Sequence, residues 1–373
     1  MNPVKTNVAI AFLVIVAILG HVAAWRARPP VAACGTDFPV FYAGAKLLGT
    51  PQLYSPQAVQ AIMLKEVGCT GPASAFIRLP YFAALVWPLT LFPLTVAFAI
   101  WRVALVAAEI GFVASFGRHW KWALLACAWS HALAWDFDNG QDSSFLLLWI
   151  AAAAALMSRR RDFTAGLCIS LCAAKFHLMI LLPLLLIARD LRRVTAGAIA
   201  GGTVLLAASF AVAGWSWPRQ FVAAIASPDI DPYPTMEHNL RGTLAGRLPL
   251  EIILGITVAA TVWYICRRAP LPVALSSVVA GGVLVGHHLT VSDSALLLFP
   301  CLILALECLS WAIRIWAILL ISPLASAQYG IPALDHLQDI ALLGLVYFLG
   351  WCALRPERFR FRNTSATLVD ASR

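Results

Sequence analysis

An acid at Asp37, the pair Lys175-Phe176-His177 and the run His288-x-x-x-x-Asp293 stand at short polar breaks in a chain that is otherwise apolar. A carboxylate near such a boundary loses part of its hydration, which raises its pKa and makes it a better proton acceptor from a hydroxyl group. Lys175 and His177 can hold an anion such as a phosphate, because cations and uncapped backbone N–H groups attract one. His288 can orient a reacting hydroxyl or touch the same anion, and it can equally be a helix-end histidine bonded to a carbonyl. Asp293 suits a helix cap or a carboxylate that orients His288, and it is counted with the substrate-binding set.

Further polar residues widen this set. Asn139 and Gln141, from Asp136-Phe137-Asp138-Asn139-Gly140-Gln141-Asp142, can bind ligand hydroxyls, although an Asn-Gly pair also makes a turn. Asn239 and Arg241 lie in Asn239-Leu240-Arg241-Gly242, where Arg241 is a second anion-binding candidate and Asn239 a substrate contact. Tyr42 follows Asp37 closely enough to share its site. Each has a structural counter-reading. Thr36 or Asp37 can cap a helix starting near Pro39, and Lys175 can snorkel to a membrane interface. His287 reads as a packing or surface residue. Asp136 and Asp138 form an Asp-x-Asp pair, but acids on a short loop are usually solvated, so no metal and no cofactor are expected. The nine cysteines show no metal spacing. Cys34 and Cys69 share one loop and could pair only in an oxidising compartment.

The elements that position these residues are set by hydropathy. A mean hydropathy of +0.81, with 61% hydrophobic and 12% charged residues, excludes an ordinary soluble domain. Apolar runs predict spans near 8–25, 94–116, 120–135, 143–158, 195–214, 250–266, 271–287, 294–312, 316–331 and 338–354. The first run lacks a small-residue cleavage site before Arg26 and is expected to remain as a helix. Segment 163–188 is flanked at both ends by arginines (159–161 and 189, 192, 193), and basic residues concentrate on cytoplasmic loops. It is therefore expected to enter and return, turning near Lys175 to His177.

The result is a bundle of about twelve transmembrane or re-entrant helices with both termini inside, read as a single membrane domain over 1–373. The net charge of +9 then follows from topology, which leaves nucleic-acid binding without support. The first extracytoplasmic loop, 26–93, is too long for a connector and is expected to carry an amphipathic helix at 38–49 and a proline-broken piece at 80–92. A second large outer loop covers 215–249, and 355–373 forms a basic cytoplasmic tail. Within the spans, Arg102 and Glu109 are expected to satisfy each other or neighbouring helices. Asp37, Gln141, Lys175, His177, Arg241 and His288 all fall on the outer side.

Four motifs in this order resemble glycosyltransferase family 87. They are Asp37-Phe38-x-x-Phe41-Tyr42-x-Gly44-Ala45 with Leu53-Tyr54, Asn139-Gly140-Gln141, Lys175-Phe176-His177, and His288-x-x-x-x-Asp293 before Leu296-Leu297-Leu298-Phe299-Pro300. Asn239-Leu240-Arg241-Gly242 is an imperfect fifth. Phe176 stands where the family has proline, and Gly286-His287 where it has Ser-Pro. The resemblance implies an all-α polytopic GT-C fold in the plasma membrane. It implies transfer of a hexose, mannose first, from a polyprenyl phosphate to a lipid or glycan acceptor on the extracytoplasmic side, with inversion. Asp37 would be the base, assisted by His288, with Lys175, His177 and Arg241 on the donor phosphate. A transporter or flippase is the alternative, which would place charges at the midplane of two related halves. A scaffold that has lost activity is the third reading.

Overall fold

The computed structural model describes residues 3–27, 36–68, 75–227, 237–308, 310–322 and 336–354. Cys34, Cys69, Asp335 and the basic tail lie outside these residues. The architecture is helical. Helix α1 (Pro3–Ala27) precedes three short helices of the first loop, α2 (Asp37–Lys46), α3 (Pro56–Val67) and α4 (Pro80–Val86), with a 3₁₀ turn at Trp87–Leu91. Then come α5 (Leu94–Ser115), α6 (Trp120–Ala128), α7 (His131–Asn139), α8 (Ser143–Ser158), α9 (Asp162–Leu171), α10 (Leu182–Ala188) and α11 (Arg192–Ala213). The second half holds α12 (Trp217–Ile225), α13 (Leu240–Thr243), α14 (Leu248–Arg268), α15 (Leu271–Val285), α16 (Leu298–Glu307), α17 (Trp311–Leu320) and α18 (Leu337–Ala353).

Four helices among the described residues are long and apolar enough to cross a bilayer: α1, α5, α11 and α14. Their outer faces carry bare apolar side chains, with Phe12, Val103 and Ile110 each more than 60% exposed. Rows of such residues are stable only against lipid. The count of about twelve crossings is not reproduced. α8, α15, α17 and α18 are apolar but of 10–17 residues, and 15 residues at 1.5 Å each reach only about 22 Å of a ~30 Å hydrocarbon core. The expected span at 120–135 breaks at Ser130, whose hydroxyl caps α7 by accepting from Leu133 N at 3.2 Å. The run at 294–312 is a 3₁₀ turn followed by α16, which ends at Glu307.

Segment 162–188 does break where expected. The 3₁₀ stretch Cys172–Met179 follows α9 and kinks at Lys175 (φ −129°, ψ 59°), and the whole of Asp162–Met179 is bent by 116° from α10. α9 is locked to α11 through glycine. A Cβ on Gly166 would sit 2.0 Å from Val194 O, and one on Gly197 would sit 2.0 Å from Phe163 O. Such small-residue contacts let backbones touch where no hydrophobic force between helices exists.

The expected amphipathic helix is α2, but it does not lie with one face free. Phe38, Phe41, Tyr42 and Ala43 are all buried, so both faces are covered. Phe38 stacks on Phe98 at 5.0 Å and tilts against Trp101 at 5.5 Å, and Phe41 meets Phe82 edge-on at 5.1 Å. This aromatic cluster fixes α2 to α4 and α5, and so fixes Asp37 at its first turn.

Candidate active site

The chain closes a polar cavity of about 200 Å³ between five separate segments. α2 supplies Asp37, Val40 and Phe41, the segment before α4 supplies Ile77 and Arg78, and the turn before α8 supplies Gln141. The break between α9 and α10 supplies Lys175 and His177, and the turn between α15 and α16 supplies His288, Thr290 and Asp293. Six residues chosen on chemistry in the sequence thus converge on one space.

Beneath the cavity is a buried ion network. Lys175 is 1% exposed, and its ammonium lies 2.9 Å from Asp142 Oδ1 and in contact with Asp293 Oδ1. It also donates to Ser143 Oγ at 3.0 Å, and that hydroxyl donates to Asp293 at 3.1 Å. Arg78 donates from one Nη2 to Gln141 Oε1 and to Asp142 Oδ1, both at 3.2 Å. The Arg78 guanidinium lies 5.3 Å from the centre of the Phe41 ring, a cation–π contact that ties the network to α2. Snorkelling of Lys175 is therefore excluded: the break in the helix turns it inward, between two carboxylates.

The acids at 136–142 are not solvated either. Asp136 and Asp142 are fully buried. Asp136 accepts from Ser143 N at 3.0 Å, Ser144 N at 3.1 Å and Ser144 Oγ at 2.6 Å, so it caps α8 from the preceding helix. The chain can double back this way because Gly140 takes a left-handed φ of 67°, and a Cβ there would lie 2.5 Å from Phe98 and 2.7 Å from Phe38. Arg102 and Glu109 turn to neighbouring helices: Arg102 donates to Phe137 O and Asp138 O, and Glu109 accepts from Ser144 Oγ.

The cavity mouth is different. Asp37 is half-buried, and among the described residues no hydrogen bond or ion pair engages its carboxylate. Burial pushes this carboxyl up to about 6, with Lys175 and Arg78 opposing the rise. His177 is half-buried, and among the described residues neither its Nε2 nor Arg78 Nε has a hydrogen-bond partner. His288 Nδ1 is 2.6 Å from Glu237 Oε1, and the second oxygen of Glu237 accepts from Leu289 N. Glu237, not Asp293, is therefore the carboxylate that orients His288. Asp293 instead forms a capping box with Thr290 and pairs with Lys175.

Four sequence candidates lie off the cavity. Tyr42 is 2% exposed and donates to Phe92 O at 2.9 Å. Asn239 is fully buried, capping α13 at Gly242 N (3.0 Å) and donating to Gly286 O (2.7 Å). Arg241 hydrogen-bonds the ring of the exposed His287. Asn139 ends α7 ahead of the Gly140 turn. Two side chains at the cavity, Arg78 in its lining and Glu237 behind His288, went unread. Arg78 had a visible signal, a lone cation within Phe76-Ile77-Arg78-Leu79-Pro80, whereas Glu237 had none.

The family model of glycosyltransferase family 87 matches residues 76–300, more than half of the chain. The chain belongs to that family. It is a membrane glycosyltransferase, and the cavity is its candidate active site. The match takes in Arg78, Gln141, Lys175, His177, His288 and Asp293, and it begins beyond Asp37. No curated protein and no solved structure matches this glycosyltransferase.

Proposed function

We propose that this glycosyltransferase moves a hexose, mannose by its family resemblance, from a polyprenyl-phosphate donor to a hydroxyl of a lipid or glycan acceptor. The reaction takes place at the extracytoplasmic face of the plasma membrane. The carrying observation is that, of the two acids lining the cavity, Asp293 is ion-paired to Lys175 while Asp37 has no hydrogen-bond or ion-pair partner among the described residues. A proton acceptor must be free to take the proton, and a carboxyl raised to about 6 is still ionised at neutral pH.

In the proposed step the acceptor oxygen attacks the anomeric carbon and its proton passes to Asp37. The bond from that carbon to the phosphate oxygen breaks, the polyprenyl phosphate leaves, and the configuration inverts. His177 and Arg78, each with a nitrogen unpartnered among the described residues, meet the leaving phosphate. Lys175 contributes its field from below, since its contacts are already made with Asp142 and Asp293. His288, held by Glu237, orients the acceptor hydroxyl. Gln141 and Asp293 border the sugar. The cavity is smaller than the ~300 Å³ of common ligand pockets, which suits a single sugar head with its lipid outside.

The test is transfer by the purified protein in lipid nanodiscs, using a panel of polyprenyl-phosphate hexoses with lipid and glycolipid acceptors. Product formed from polyprenyl-phosphate mannose is expected. Transfer from nucleotide sugars alone would overturn the lipid-linked donor.

A further inference from the structure

Outside the cavity, three side chains with metal-ligating atoms gather where α13 meets α18. We propose that His238, His336 and Asp339 bind a divalent first-row transition metal ion, with Zn²⁺ chemistry, that clamps the last helix to the segment carrying Glu237. One donor atom from each residue lies within 4.8 Å of the other two. His336 Nδ1 is 3.0 Å from Asp339 Oδ2, and the two imidazole rings are 6.0 Å apart and tilted by 47°. Two imidazole nitrogens and one carboxylate oxygen are a donor set for Zn²⁺, Co²⁺ or Fe²⁺ rather than for Ca²⁺ or Mg²⁺, which prefer oxygen throughout. Tetrahedral zinc with bonds of about 2.0–2.1 Å needs its ligand atoms roughly 3.3 Å apart. One pair, at 3.0 Å, is already close to this spacing, and the other donor atoms lie within 4.8 Å.

The surroundings support the ligands. Asp339 is 4% exposed and also accepts from Thr243 Oγ1 at 3.3 Å, the kind of outer contact that orients a ligating carboxylate. His336 holds a left-handed φ of 64° at the N-cap of α18, which sets its ring over the first turn, beside Asp339 one turn on. His238 follows Glu237 directly, and Asn239 is pinned to Gly286 O at 2.7 Å. Fixing His238 to α18 therefore holds Glu237 against His288 at the cavity. The site goes beyond the transferase reading and uses none of its proposed proton or phosphate groups.

The test uses full-length protein purified without a polyhistidine tag, stripped with a chelator and titrated with Co²⁺ as a spectroscopic probe. Visible d–d bands that saturate at one Co²⁺ per chain and are displaced by Zn²⁺ are expected. His238→Gln should abolish the bands, and Asp339→Asn, which keeps shape and hydrogen bonding, should weaken Co²⁺ binding tenfold or more. Thr243→Val keeps every ligand and should weaken it about tenfold. Absence of bands at saturating Co²⁺, or unchanged binding in Asp339→Asn, would overturn the site. Because the spectrum does not depend on sugar transfer, either reading can fail without the other.

Discussion

The floor and the mouth of the cavity both carry aspartate and use it in opposite ways. On the floor, Asp142 and Asp293 are locked to Lys175, with Arg78 bridging Asp142 and Gln141. At the mouth, Asp37 and His177 line the same space with a carboxylate and an imidazole Nε2 that make no hydrogen bond or ion pair among the described residues. A carboxylate between two cations is a structural part, because moving it would strand buried charge. A carboxylate beside those cations, but not paired with them, keeps its lone pairs for a substrate. Chemistry is thus assigned by partnership and not by residue type.

The sharpest way to break this contrast is to neutralise one residue from each region. Asp37→Asn should lower transfer by about 10²–10⁴-fold, the range lost with a general base. Its folded state should melt no lower than wild type at neutral pH. The sign follows from the raised pKa: burial makes the ionised carboxyl unfavourable, so the folded state is relatively stabilised below about 3.8 and loses that advantage as pH rises through about 6. The gap between variant and wild type should accordingly narrow as pH falls. Retained transfer in this variant would end the distinction drawn above.

Lys175→Met should do the reverse. Leaving Asp142 and Asp293 buried without their cation should cost about 3–5 kcal/mol, read as a large drop in melting temperature and folded yield. A stable, inactive Lys175→Met protein would instead move Lys175 from the floor to the substrate.

A pH profile sharpens the comparison with a smaller effect. kcat/KM should level off above about pH 7 and fall about tenfold per unit below about 6, as Asp37 takes up its proton. A profile flat from pH 5 to 8 would show that another group takes the proton. The smallest effect is expected at Tyr42→Phe, which removes the bond to Phe92 O and the hydroxyl's contact with Lys46. It should cost about 1 kcal/mol of stability and leave the donor KM unchanged. A tenfold rise in that KM would return Tyr42 to the substrate.

Much of the site was readable before folding. Asp37, Gln141, Lys175, His177, His288 and Asp293 stood out because polar residues in so apolar a chain need a reason, and all six line the cavity. Tyr42, Asn139, Asn239 and Arg241 stood out equally and lie elsewhere, since a motif records that residues are near in sequence and not which way each faces. Arg78 was legible in principle from its apolar flanks. Glu237 was not, because its partner His288 is brought to it only by the packing of α13 against α15. Helix boundaries were less legible: two of the apolar runs read as single crossings are divided, one at Ser130 and one after Glu307.

The sequence alone pointed to a helical membrane protein whose chain turns near Lys175 to His177. Those properties follow from hydropathy and from charge placement, which are local and additive. Only the tertiary structure decided which acid is free. Asp37, Asp142 and Asp293 have the same side chain, and their difference comes from Lys175 and Arg78 lying within reach of two of them and not pairing with the third. That selection depends on distances between segments far apart in the chain, and desolvation makes those distances decisive.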